Sequence, residues 1–238
     1  MLSASVSDTV FYLNAAHVYR AAADDTDAEL RRRLKQQYDI DARRLSRFTQ
    51  LVLLGALPLQ NGLPPDTAVY LASPFSSPGK IIRLREKLHR DNLPSPLDFM
   101  ANLHNAATFH LMQALGCHGS SVFAAADASH PARPLYPTLN HLLAHPEHSV
   151  LLGWAYEQQQ PGESEGSLWW HLSCRPGGND IACLRWANHT ETTTAPPPAA
   201  DGAFFDSALA FHRLAADHGL TLPSDGIFPA LQIRPSAA

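Results

Sequence analysis

Short apolar runs along the chain alternate with segments in which apolar residues recur every three or four positions. That is the pattern of strands interleaved with amphipathic helices. Residues 10–16 (VFYLNAA) predict a first strand. Residues 24–37 are acidic at the start and basic at the end, as a helix dipole favours, with Arg31, Arg32 and Arg33 toward solvent. A second helix opens at Asp41, a capping residue type, and runs apolar through Leu51, Val52, Leu53 and Leu54. Residues 67–72 (TAVYLA) predict a strand and 73–79 a loop. Residues 80–90 predict a basic helix with Ile81, Ile82, Leu84 and Leu88 on one side.

The rest of the chain is organised around residues 98–157. Ala106, Phe109, Leu111, Met112 and Leu115 mark a helix that stops at Gly116. Residues 121–126 are a run of small apolar residues too short for a helix, as expected of a strand buried on both faces. The chain must bend at Asp127, Ala128, Ser129 and His130 before helical character resumes at residues 139–143, and residues 150–155 form a second buried strand. Strand, sharp bend, helix, strand is the unit that presents a nucleophile in several α/β enzymes. Further on, residues 167–173 and 181–186 read as a strand pair joined by the turn-rich stretch 175–180. Residues 192–200 (TTTAPPPAA) read as a linker, and residues 204–218 as a helix whose Phe205, Leu209 and Leu214 need a surface to cover. The last twenty residues are Pro-rich and need not be ordered throughout. This divides the chain at residues 1–190, 191–203 and 204–238.

With 238 residues, 45% of them hydrophobic, the chain can bury a full core. A net charge of −4 argues against a general nucleic-acid binder. No apolar run reaches the roughly 20 residues that span a bilayer, and the first ten residues lack the features of a signal peptide, so a cytoplasmic protein is expected, without membrane insertion. Cys117, Cys174 and Cys183 have no metal-type spacing, and a reduced, metal-free and cofactor-free chain is the expectation.

Several residues invite a chemical reading. Ser129, His130 and Asp127 are the residue types of a hydrolase triad, but adjacent residues rarely converge on one substrate atom, and the G-x-S-x-G frame is absent. Cys117 sits in a turn between Gly116 and Gly119 and reads as structural. His141 and His145 share a helical spacing, but Pro146 ends that turn, so they read as a surface pair. Lys80, Arg83, Arg85, Lys87 and Arg90 either form a solvated face or meet an acidic protein.

Four partial matches in one order resemble the β-ketoacyl synthases. Residues 41–48 (DARRLSRF) and the apolar helix after them look like the family's RRMSR helix. Residues 67–79 and 95–121, which include HNAA at 104–107, resemble the run from its second strand to its central helix. Residues 122–131 (VFAAADASHP) fall where the nucleophile strand and elbow stand, and residues 150–157 (VLLGWAYE) match the next strand. The resemblance covers residues 8–157. It implies an α/β thiolase-like fold, N-terminal half only, with a mixed sheet covered by helices. In particular the chain resembles the short, half-length chain-length factors of type II polyketide and aryl-polyene systems.

The departures define the expected function. The cysteine position falls near Ala128, with Asp127 before it and Ser129 after it, so the elbow lacks the thiolate that ketosynthase chemistry needs. Pro131, Pro134 and Pro137 delay the following helix. About 80 residues follow position 157, too few for the half that supplies the family's histidine pair. The resemblance therefore implies a non-catalytic subunit pairing with a complete ketosynthase, which would deal with acyl carrier protein. The strand with Val122, Phe123, Ala124, Ala125 and Ala126 would meet its counterpart in the partner, and Phe109, Met112 and Phe123 would form the floor of the acyl tunnel. Two other readings stay open: a small acyl-thioester enzyme using Ser129 or Cys117, and a scaffold that recruits carrier protein through the basic helix.

Overall fold

The structure, a computed structural model, describes residues 9–92, 96–187 and 204–236. The first strand, β1 (Val10–Arg20), runs four residues beyond the apolar stretch that predicts it. It does so because two partners flank it over different lengths. Strand β5 (Gly166–Ser173) pairs with it from Tyr12 to Arg20, and β6 (Ala182–Trp186) from Val10 to Leu13, both antiparallel. The expected hairpin of β5 and β6 is therefore corrected: β1 lies between them. A bulge stands at Asn14, where the link between β5 and β6 crosses β1. The Asn14 amide donates to the Arg175 carbonyl at 3.0 Å and to Asp180 Oδ1 at 2.8 Å, while its oxygen accepts from Ser173 Oγ at 2.8 Å.

The Pro-rich tail, for which no strand is expected, forms β7 (Leu220–Leu222) and β8 (Leu231–Pro235), and β8 pairs with β6. Strand β2 (Ala68–Ser73) runs parallel to β3 (Ser121–Ala125) on one side and to β4 (Ser149–Tyr156) on the other. Among the described residues, eight strands thus form one mixed sheet in the order β3-β2-β4-β5-β1-β6-β8-β7.

Helices cover both faces. On one lie α1 (Asp27–Tyr38), α2 (Arg47–Ala56) and α5 (Ala106–Leu115), packed on Val69, Leu71, Leu151 and Trp169. The cap of α2 is Ser46, whose hydroxyl accepts from the Thr49 N–H at 3.2 Å, and not Asp41, which is held by Arg43. Both residue types cap well; Ser46 is the one that stands beside the buried run. Helix α2 lies so close to β5 that a Cβ on Gly55 would stand 2.0 Å from Ser167 Oγ. The other face holds α6 (Leu135–Ala144) and α7 (Phe204–Arg213), packed on Tyr70, Leu152, Trp154 and Trp170. Phe211 of α7 stacks on Trp170 with ring centroids 5.5 Å apart, so the C-terminal helix covers a sheet face that would otherwise be apolar and open. A turn of π-helix, Leu214–His218, leads from α7 to β7. The expected linker at 192–200 and the first eight residues lie outside the described residues. Among the described residues no helix is long and apolar enough to cross a membrane.

Candidate functional site

Strand β3 is not buried on both faces as its composition predicts. It is the edge of the sheet, with Ser121 and Ala125 exposed and the three residues between them half-buried. Small apolar side chains are compatible with either position, so composition alone misplaces the strand. The Val69 N–H donates to the Ser120 carbonyl and the Ala126 N–H to the Ser73 carbonyl, so even-numbered residues turn their backbone polar groups to β2. Those of Ser121, Phe123 and Ala125 face outward by the alternation of a strand. An edge of this kind is a template for another strand. Val122 and Ala126 pack toward the α6 and α7 face, whereas Phe123 packs toward α5.

Helix α5 flanks this edge. It ends at Gly116 in the left-handed conformation (φ 66°), as its sequence predicts. Ser121 Oγ donates to Thr108 Oγ1 at 2.8 Å, which fixes the helix against the strand. The Phe109 ring is 60% exposed, while Met112 is half-buried against the α5-side core. Between helix and strand runs a groove of about 460 Å³ lined by Phe109, Met112, Gln113, Cys117 and Ser121. Phe123 stands edge-on to the His104 ring at 5.0 Å between centroids. The three residues expected at a tunnel floor thus share one side of the edge, and Val122 lies on the other.

Helix α3 (Pro78–Asp91) carries Lys80, Arg83, Arg85, Lys87 and Arg90, and none of its residues is buried. Its apolar side is open as well: Ile81, Ile82 and Leu88 are all exposed. Phe99 and Met100 of the short helix α4 (Pro96–Ala101), which packs against α3, and Leu103 after it are exposed as well. Sequence reading missed these last three. Their signal is a pair of large apolar residues in a six-residue helix, too short to turn a face into a core.

The elbow is a tied but exposed turn. Asp127 Oδ1 accepts from the Ser129 N–H at 2.8 Å and lies 3.0 Å from His130 Nδ1. Burial is the largest influence on the Asp127 carboxyl and works upward, but these hydrogen bonds outweigh it and hold the group below its usual range. Among the described residues no hydrogen bond joins His130 to the Ser129 hydroxyl, so the three side chains do not form a relay. The Trp154 indole donates to the Pro131 carbonyl at 2.8 Å and anchors the turn from beneath. Helix α6 begins only at Leu135, with Pro134 at its cap, so Ala128 does not stand at a helix N-terminus. Cys117 is buried, and its thiol is pushed up by that burial and then by Asp66, the reverse of an activated nucleophile.

A further polar group escaped the sequence reading. Glu157, directly after β4, is buried and accepts from the Phe48 N–H at 2.9 Å and the Gly79 N–H at 3.0 Å, near the starts of α2 and α3. Burial raises its carboxyl to about 7, against the pull of those two N–H groups. Its sequence signal is an acid placed immediately after an apolar strand.

By sequence, neither a family model nor a curated protein matches the chain. By structure, one chain of a complex described as ketosynthase ApeO with its chain length factor ApeC, from Xenorhabdus doucetiae, superposes with a TM-score of 0.61 at 15% identity. The match covers 94% of this chain and 99% of that one. A chain of AntDE:AntF, a type II polyketide synthase acyl-carrier protein in complex with its hexaketide-bound ketosynthase, gives 0.56 at 14%, over 74% and 68%. Ketosynthase twelve of the bacillaene polyketide synthase of Bacillus amyloliquefaciens gives 0.51 at 14%, over 78% of this chain and 46% of that one. The chain thus has the thiolase-like fold, and it spans less than half of that last ketosynthase.

Proposed function

We propose that the chain is a non-catalytic, chain-length-factor-like subunit that pairs with a complete ketosynthase and bounds its acyl tunnel. The pathway class is type II polyketide, aryl-polyene-like or fatty-acid-like biosynthesis. The observation that carries this reading is the open edge β3: outward backbone groups, alanines that let a second backbone approach, and an apolar groove alongside. A partner strand laid antiparallel on Ser121, Phe123 and Ala125 would satisfy those groups and continue the sheet across the interface. The near-complete mutual coverage with one chain of the ketosynthase and chain length factor complex supports a half-length partner. The elbow supports the absence of chemistry, since Ala128 offers no nucleophile and no helix dipole points at it. Phe109, Met112 and Phe123 would close the far end of the partner's tunnel, and the basic face of α3 would meet acidic carrier protein.

Co-expression with a ketosynthase from the same genome, followed by size-exclusion chromatography with light scattering, tests this directly. A stable one-to-one complex, active only with both chains present, is the expected result. A monomer that ignores the ketosynthase would overturn the reading. The tunnel role is separate: Phe109→Ala, Met112→Ala and Phe123→Ala should lengthen the product, and unchanged length in all three removes it.

A further inference from the structure

At the opposite end of β4 from the elbow, α6 runs into the sequence His145-Pro146-Glu147-His148. Pro146 ends the helix, and the chain reverses with the His148 N–H donating to the His145 carbonyl at 3.0 Å. This reversal brings His148 back against the helix's last turn. The His145 and His148 rings stack with centroids 4.8 Å apart and an interplanar angle of 12°, and the His141 ring lies 5.1 and 5.6 Å from them. Ligand atoms of His145, Glu147 and His148 all lie within 4.8 Å of one another. The Glu147 carboxylate stands 3.8 Å from His145 Nδ1 and 3.4 Å from His148 Nε2.

We propose that this turn binds a divalent transition-metal ion of the zinc class through His145, Glu147 and His148. Two imidazoles and a carboxylate suit such an ion, and their side chains are open enough for it to enter. The surroundings supply what an isolated cluster lacks. His148 Nδ1 faces His141 Nε2 at 3.5 Å; a proton on Nδ1 directed at His141 leaves the Nε2 lone pair for the metal, the usual outer-shell arrangement of a ligating histidine. His141 is thus a positioning residue. Asp66 Oδ2, 3.8 Å from His148 Nε2, comes from the loop before β2 and brings a second carboxylate near the cluster. That loop is already fastened to the same turn, because Thr67 Oγ1 and Ser149 Oγ bond at 2.8 Å in the core. An ion held by both segments would clamp the entry ends of β2 and β4 together. The inference is independent of any ketosynthase partner.

Isothermal titration of the full chain with zinc chloride, repeated with cobalt chloride and read by absorption, tests the site. One equivalent of zinc should bind, and cobalt should give the intense bands of a tetrahedral complex. His148→Ala and Glu147→Gln should remove both signals, while His141→Ala should weaken zinc by about tenfold as an outer-shell loss. His89→Ala, on exposed α3, should change neither. Circular dichroism of each variant separates loss of ligand from loss of fold, and Glu147→Gln, at an exposed turn, keeps the test available if a histidine variant misfolds. Zinc binding that is unaltered in His148→Ala and Glu147→Gln, or no binding at all, would overturn the proposal.

Discussion

The two edges of the sheet are built differently. Strand β7 is three residues long, and Leu220, Thr221 and Leu222 are all buried. Strand β3 is longer, exposed at both ends, and carries no charge, proline or bulge of the kind that blunts an edge. On α5, which flanks it, Phe109 is exposed as well. The chain thus protects one edge by shortness and burial and leaves the other ready to be paired. An open edge here is a local property and not a general looseness of the fold.

Predictions test that contrast, in order of their effect on the isolated chain. Leu222→Ala at the closed edge should cost about 2–5 kcal/mol, as for a buried leucine elsewhere, measured by urea unfolding. A loss under about 0.5 kcal/mol would show that β7 is not part of the cooperative core. The second concerns the start of α3, on the open side. The Glu157 carboxyl is raised from 4.5 to about 7 in the folded chain, first by burial. Between those values the folded state holds a proton that the unfolded state has lost. Its stabilising contribution is therefore complete below about pH 4.5 and is lost as pH rises through 7, by roughly 3 kcal/mol at most. Glu157→Gln should flatten the slope of stability against pH across that window; equal slopes would mean that the carboxyl does not titrate there. Third, Ala125→Lys should change the isolated chain's stability by less than about 0.5 kcal/mol. The same variant should abolish the ketosynthase complex on the sizing column. Smallest is Phe109→Ala, with its ring already in solvent: no measurable change in melting temperature, and an effect confined to product length.

Much of the fold could be read from the pattern because the signals involved are local. The α5 helix and its Gly116 stop, strands β2 and β4, and the late start of α6 behind Pro131 and Pro134 all follow from neighbouring residues. What escaped depends on contacts distant in sequence. Nothing near residues 167–186 announces that β1 will insert between β5 and β6; the link is held by Asn14, more than 150 residues earlier. Likewise VFAA fits an edge or a centre equally, and its place at the end of the strand order among the described residues decides it. At the site, the choice of Phe109, Met112 and Phe123 comes from the family resemblance and not from spacing; Met112 and Phe123 pack on the same side of the sheet. The burial of Cys117 is not legible in the sequence, since it depends on the loop before β2, which the local sequence does not name.

The insertion of β1 also has a consequence for synthesis. Its neighbours in the sheet begin at Gly166 and Ala182, so β1 must wait for roughly 150 further residues to be made before it can pair. Pairings of such long sequence separation form slowly. During that interval an eleven-residue strand bearing Phe11, Leu13 and Val18 stands unpaired outside the ribosome. At ~5–20 residues per second the wait lasts on the order of ten seconds or more, long enough for a chaperone, or another nascent chain, to reach it first.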